Sequence, residues 1–173
     1  ETFDINVARR IGLDIGASTG GFTDVLLARN AERVYAVDVG RGQLDWRLRQ
    51  DPRVVVLERL NARFLTAGHI PEPPDIVTCD VSFIGLELAL PPALALAAPG
   101  AFLVALIKPQ FEVSKGEVGK GGIVRDEAAR KMVCRRIEAW LGSCPRWQII
   151  GMTDSPITGA DGNHEYLIGG RKT

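Results

Sequence analysis

The 173 residues offer little for disulfide or metal chemistry. There are three cysteines, Cys79, Cys134 and Cys144, and two histidines, His69 and His164. No two cysteines form a C-x-x-C pair, and neither histidine has a His or Cys partner at ligand spacing. A disulfide framework and zinc knuckles are therefore excluded, and no metal is expected. The thiols read as small buried or half-buried side chains in a reducing compartment, which makes a cytoplasmic location the expectation. An excess of one charge is also missing: Lys plus Arg and Asp plus Glu both total 21. A whole surface built to hold nucleic acid by charge alone is excluded on that ground. No stretch reaches the roughly 18 unbroken apolar residues of a membrane span. The longest candidate, 86–106, is interrupted by Glu87, Pro91, Pro92, Pro99 and Gly100. The start, Glu1 to Asn6, has neither the basic residues nor the apolar core of a signal peptide, so no membrane partner is expected.

What is present is ordinary for one globular domain over 1–173: 46% apolar and 24% charged residues. Short β-branched runs alternate with helical stretches. Strands are expected over 10–15, 33–39, 54–58, 75–81, 101–107, 147–153 and 165–169. Helices are expected over 20–30, 43–50, from Pro91 to Pro99-Gly100, and over 125–141. The alternation predicts an α/β fold of Rossmann-like type, a mostly parallel sheet with helices on both faces. The run Phe102 to Ile107 is apolar at every position and reads as a central strand covered twice. No helix separates the last two strands, so they are expected to pair as an antiparallel hairpin at one end. Ligands in such sheets bind beyond the carboxyl ends of the strands. Attention falls on the residues that end them: Asp14, Asp38, Asp80 and Lys108.

Asp14-Ile15-Gly16-Ala17-Ser18-Thr19-Gly20-Gly21-Phe22 joins the first strand to the first helix. No Gly-Lys-Ser/Thr follows, so it is not a phosphate-binding P-loop. Its glycines at 16, 20 and 21 do not make G-x-G-x-x-G. The pattern D-x-G-x-x-x-G-G instead sets a carboxylate at the loop. That charge repels pyrophosphate and suits a cationic ligand. S-adenosylmethionine, with an ammonium group and a sulfonium, has that character. Gly16, Ala17, Ser18, Gly20 and Phe22 are the candidate loop contacts. Asp38, 18 residues after Gly20, is placed to accept ribose hydroxyls. Asn61, after the third strand, borders the expected adenine position.

Lys108 follows six apolar residues and precedes Pro109, which places it at the rim of the crevice. Asp80 ends the neighbouring strand, and Glu165 begins the last one. A lysine flanked by two carboxylates suits removal of a hydroxyl proton before attack on an activated methyl group. Carboxylates beside a lysine favour its ammonium form, whereas a general base has to be neutral. Burial or a second cation has to supply the difference, and the carboxylates then orient.

At these residues the chain resembles the haemolysin A (TlyA-type) family, relatives of FtsJ-like ribosomal RNA 2′-O-methyltransferases. The stretches that carry the likeness are Leu13 to Asp24, Cys79-Asp80-Val81-Ser82-Phe83-Ile84, Ile107-Lys108-Pro109-Gln110-Phe111-Glu112 and Gly162-Asn163-His164-Glu165-Tyr166-Leu167. The resemblance implies a methyltransferase domain with S-adenosylmethionine as methyl donor and ribosomal RNA, at a cytidine ribose, as substrate. It also implies a Lys-Asp-Lys-Glu catalytic set, of which Asp80, Lys108 and Glu165 match the last three. Asp80 counts among the cofactor contacts too. The family's first lysine has no counterpart, because no lysine precedes Lys108. The family's N-terminal S4-type RNA-binding domain is absent from this chain. Two alternatives stay open: a methyltransferase for another substrate, and a cofactor-binding or RNA-associated domain inactive on its own. Nothing in the sequence points to membrane lysis.

From Lys108 to Trp147 there are nine Lys/Arg against five Asp/Glu. The glycine-rich loop 114–122 and a stripe of Arg130, Lys131, Arg135 and Arg136 are the expected phosphate-steering surface, with Arg41 and Arg47 as further candidates.

Overall fold

The computed structural model describes residues 2–173 except Lys115, Glu117, Lys120, Ala160 and Asp161, so part of the expected basic loop lies outside the described residues. Seven strands form one sheet: β1 (Ile11–Ile15), β2 (Arg33–Val37), β3 (Val54–Leu57), β4 (Ile76–Cys79), β5 (Phe102–Ile107), β6 (Trp147–Asp154) and β7 (Tyr166–Lys172). Their order is β3-β2-β1-β4-β5-β7-β6. The first five run parallel, and β7 runs antiparallel between β5 and β6. The Rossmann-like α/β class expected from the alternation is the one observed. The hairpin of the last two strands is present as well, but its second strand is the inner one. β7 therefore bonds on both edges, which carries it beyond the expected 165–169 to Lys172.

The helices are α1 (Gly21–Ala28), α2 (Trp46–Gln50), α3 (Leu86–Ala89), α4 (Pro91–Leu96), α5 (Pro109–Glu112) and α6 (Glu127–Ser143), with a 3-10 turn at Ala62–Phe64. Local chemistry sets their ends. The Asp45 and Asp126 side chains accept the backbone N–H of Arg47 and Ala128 and so cap α2 and α6. Pro91 opens α4 where a missing N–H costs nothing. α4 stops three residues short of the expected Pro99, because Ala97 is already extended at φ −59°, ψ 141°. Lys172 closes its end, donating from Nζ to the carbonyls of Leu94, Ala95 and Ala97.

Apolar residues bury on both faces of the sheet. Leu13, Ile15, Val77, Leu103, Ala105, Ile137 and Leu141 pack on one face, and Leu26, Leu27, Val34, Ala36, Leu44, Leu48 and Ile76 on the other. The expectation that β5 is covered twice is corrected. Leu103, Ala105 and Ile107 are buried, but Phe102, Val104 and Leu106 are only half-buried. A shallow apolar hollow remains over their face, lined by Phe3, Phe22, Val25, Val104 and Leu167 among others. Among the described residues, no helix is long and apolar enough to cross a membrane, and no cluster of His, Cys, Asp and Glu is arranged to hold a metal.

The strand order reverses between β1 and β4: β2 and β3 extend to one side of β1, and β4 lies on its other side. The crevice opens at the carboxyl ends there, where open α/β sheets place their ligands.

Candidate active site

A cleft of about 750 Å³ lies beyond β1, β2 and β4. Its size is that of a cofactor pocket. Gly16, Ser18, Asp38, Asn61 and Asp80 of the expected residues line it. Gly16 sits at φ 77°, and a Cβ there would drive into the Asp80 carbonyl. Its bareness keeps the floor of the cleft low.

Asp38 shapes the side next to β2. Its Oδ2 accepts the Ser18 N–H at 2.8 Å, and its Oδ1 accepts the Gly40 N–H at 2.7 Å. A carboxylate has about four acceptor sites, so each oxygen keeps one for a hydroxyl. Asn61 turns its side chain onto the Arg63 N–H and starts the 3-10 turn, which places its backbone rather than a free amide at the wall.

Asp14 does not line the cleft. Its side chain is 1% exposed, and its oxygens accept Thr23 Oγ1 at 2.7 Å and Thr78 Oγ1 at 2.8 Å. Burial pushes its pKa up to about 6, while the two threonine hydroxyls pull it down. The expected contact between this carboxylate and a ligand ammonium is thus not made by a free side chain. Asp14 ties β1 to α1 and β4 beneath the loop. Three loop candidates also face elsewhere. Ala17 is buried in the core, Gly20 at φ 107° lets Leu44 and Leu48 of the α2 side pack close, and Phe22 lines the apolar hollow on the sheet face.

At the cleft wall Lys108 forms an ion pair with Asp80, and its Nζ lies 3.4 Å from Ser82 Oγ. The lysine side chain is 14% exposed and the aspartate 40%, so the pair faces the opening from the acid's side. Ile107 stands opposite Tyr166 in the β5–β7 register, so Lys108 and Glu165 leave the sheet side by side. No described contact joins them; Glu165 Oε1 instead accepts Gln110 Nε2 at 2.9 Å. Asp80 and Lys108 are brought together as expected, whereas Glu165 bonds Gln110 and makes no described contact with either.

Sequence reasoning passed over Ser82, Gln110 and Glu112. Glu112 is buried and receives the Leu86 N–H, the free N–H at the start of α3, at 2.8 Å. Arg136 of α6 answers it at 2.6 Å. Burial raises the Glu112 pKa, against the N–H and the guanidinium. The signal was available: Gln110 and Glu112 follow Lys108 in one short segment, where a charged residue beside apolar neighbours calls for an internal partner. The loop after β4 also bears Phe83, 90% exposed at φ 65°, with its ring centroid 4.8 Å from that of Phe111. A bulky residue in that backbone region is strained, and such strain gathers at ligand-binding positions.

A glycine-floored cleft at the reversal of strand order, lined by Asp38 and by an Asp80 ion-paired to Lys108, belongs with the Rossmann-like methyltransferases. Comparison with known proteins defines the group more closely. Residues 1–172 match the family model described as FtsJ-like methyltransferase, and the chain belongs to that family. It is 52% identical over 172 residues to the 16S/23S rRNA (cytidine-2'-O)-methyltransferase TlyA of Mycobacterium tuberculosis, across 97% of this chain and 62% of that protein. The chain thus spans about three fifths of that relative's length. A crystal structure of a hemolysin-type protein from Lactococcus lactis superposes with a TM-score of 0.95 at 40% identity, over 99% of this chain and 82% of that one. The O-methyltransferase of Bacillus cereus in complex with SAH shares the fold alone, with a TM-score of 0.64 at 20% identity over 96% of this chain and 76% of that one.

Proposed function

We propose that residues 1–173 are one methyltransferase domain that binds S-adenosylmethionine and methylates a ribose 2′-hydroxyl of ribosomal RNA in the cytoplasm. The observation that carries this reading is that Asp38 and Asp80 line one cleft and that Lys108 is ion-paired to Asp80 at its wall. The chain's residues fit the cofactor: Gly16 clears the floor, and Asp38 keeps one acceptor per oxygen for the two ribose hydroxyls. The relative in Mycobacterium tuberculosis is named for 2′-O methylation of cytidine, and the Bacillus cereus neighbour holds the demethylated cofactor.

Bound S-adenosylmethionine supplies a methyl group on a positively charged sulfur, already activated toward a nucleophile. The protein's task is then placement and proton removal, and placement carries much of the rate. Lys108 Nζ, in the neutral form, would take the proton of the substrate hydroxyl; the cofactor, when bound, would supply the methyl group, its S–CH3 bond breaking as the C–O bond forms and the neutral thioether S-adenosylhomocysteine leaving. Asp80 stabilises the ammonium that results. Ser82 narrows the directions open to Nζ, and Glu165 holds Gln110 beside the lysine turn. Phe83 offers an exposed ring at the mouth for the target base to stack on.

Two variants test the reading. Lys108→Ala abolishes methyl transfer to unmethylated ribosomal subunits while S-adenosylmethionine affinity, read by calorimetry, changes little; retained turnover removes Lys108 as the base. Asp38→Ala weakens cofactor binding about tenfold or more, as expected for the loss of a charge-assisted hydrogen bond. Unchanged affinity removes Asp38 from the ribose site. Cofactor uptake with no transfer to any ribosomal RNA identifies a binding module instead.

A further inference from the structure

Three of the four cations expected to meet RNA along α6 are engaged by the protein itself, while Arg135 is exposed with no ion pair among the described residues. Arg136 is held by Glu112 and Glu87, Lys131 by Glu127, and Arg130 by the carbonyls of Val124 and Arg125. The cleft wall after β3 is different. Arg59 and Arg63 are exposed, and among the described residues neither has a carboxylate within ion-pair distance. The adjacent acid, Glu58, is already taken by Arg49 and the Gly42 N–H.

The backbone holds these arginines out. Arg59 sits at φ 55°, a left-handed conformation that costs a non-glycine residue on the order of 1 kcal/mol or more. Its N–H bonds to the Gly40 carbonyl, and the Leu60 N–H bonds to that of Asp38, so the strained turn is stitched to the cleft wall. Arg63 leaves the 3-10 turn with its guanidinium 5.4 Å from the Phe64 ring centroid. Phe64 is 63% exposed, and Leu88 on α3, which lines the cleft beside Arg63, is 60% exposed. Single exposed apolar residues need no explanation. Phe83 and Leu88 line the cleft with Arg63, and Phe64 stands exposed beside Arg63 on the same 3-10 turn, a grouping of apolar and cationic side chains that does.

We infer that Arg59, Arg63, Phe64 and Leu88 form a ledge that carries the nucleotides next to the methylated one, in single-stranded or splayed-out form. The inference rests on the RNA reading above and gives it a direction: the strand crosses the mouth from Lys108, past Phe83, onto the wall after β3. The chemistry fits this occupant. Bases stack on aromatic rings and guanidinium planes whatever their sequence, and phosphates neutralise arginines that have no acid of their own. An acidic peptide would engage the arginines but leave Phe64 without a role.

The test is fluorescence anisotropy of a short labelled single-stranded RNA titrated with the chain at several salt concentrations. The variants are Arg59→Ala, Arg63→Ala and Phe64→Ala, with Lys131→Ala as the control on α6. Each arginine removed should weaken binding and flatten the slope of log affinity against log salt by about 0.7. Phe64→Ala should weaken binding about fivefold or more and leave the slope alone, since stacking releases no counterions. Lys131→Ala should do neither. All four side chains are exposed, and equal thermal midpoints establish that the variants fold. Wild-type binding that the ledge variants leave untouched, or that Lys131→Ala weakens as much, overturns the ledge and leaves the RNA reading standing. A flattened slope with a silent Phe64→Ala also overturns it, in favour of a contact with charge alone. Wild-type chain that takes up S-adenosylmethionine yet binds no RNA at the lowest salt overturns the RNA reading and the ledge with it.

Discussion

Helix α6 and the segment after β3 use arginine in opposite ways. On the α6 side Arg136 reaches inward, giving Nη2 to Glu112 Oε2 and Nη1 to the Glu112 carbonyl, so the charge closes a gap between α3, α5 and α6. On the β3 side Arg59 and Arg63 point out from a strained turn and a short 3-10 turn and meet no acid. A count of charges along the chain ranks α6 as the basic surface, because it sees how many cations lie close in sequence. It does not see which of them a buried carboxylate has already claimed. Free cation, rather than cation density, is what a phosphate can use.

The carboxylates Asp14 and Asp38 show the same division, and Asp14 gives the largest expected effect. Its pKa is raised by burial from 3.8 to about 6, so the folded state holds its proton more tightly than the unfolded chain does. Stability from this group is complete below about pH 4 and is lost as pH rises through about 6. The shift corresponds to about 3 kcal/mol, an order-of-magnitude figure. Asp14→Asn removes that dependence. Urea unfolding at pH 4 and pH 7 should show the variant gaining on the wild type by a few kcal/mol between the two. A constant difference would mean that burial does not perturb Asp14, and the division between the two acids would fail.

Arg136→Ala comes next. It leaves the Glu112 carboxylate, buried and already raised in pKa, with the Leu86 N–H as its remaining described side-chain hydrogen-bond partner. Removing one partner of a buried pair is costly, but the half-exposed guanidinium leaves a path for water, so the expected loss is about 2 kcal/mol. The urea midpoint reads it. No loss would return Arg136 to the pool of cations free for RNA and weaken the contrast between the two segments.

The fold was largely legible because it rests on short-range pattern. Period and punctuation placed every strand of the sheet, and the absence of a helix between β6 and β7 predicted their hairpin. The insertion of β7 between β5 and β6 was not legible, since which edge a hairpin presents to the sheet is set by long-range packing. At the site, Asp38, Asp80 and Lys108 were readable because a residue that ends a parallel strand opens into the crevice. Asp14 reads as a strand end in sequence, but β1 runs on to Ile15, so it is an interior strand residue whose side chain is buried. Thr23 and Thr78 stand 9 and 64 residues away and draw its side chain under the loop. Only one of those partners lies within reach of a local pattern. The Gln110–Glu165 hydrogen bond and the unpaired state of Arg59 and Arg63 depend on contacts that no spacing rule contains.

The smallest expected effect falls on Lys131, and it bears most directly on the comparison. Its partner Glu127 lies one turn earlier on α6, and both side chains are about two thirds exposed. The pair holds the Glu127 carboxyl below its ordinary pKa, yet both partners stay in water, where salt screens them. Lys131→Ala should leave the urea midpoint unchanged within error. If Lys131 is nonetheless needed for methyl transfer to ribosomal subunits while short single-stranded RNA binds the variant normally, α6 contacts a part of the substrate distant from the target nucleotide. The two segments would then divide the RNA between them, the β3 side holding the strand that enters the cleft and the α6 side holding structure beyond it. If Lys131→Ala alters neither transfer nor binding, α6 serves the fold, and the arginines after β3 carry the substrate contact of this domain.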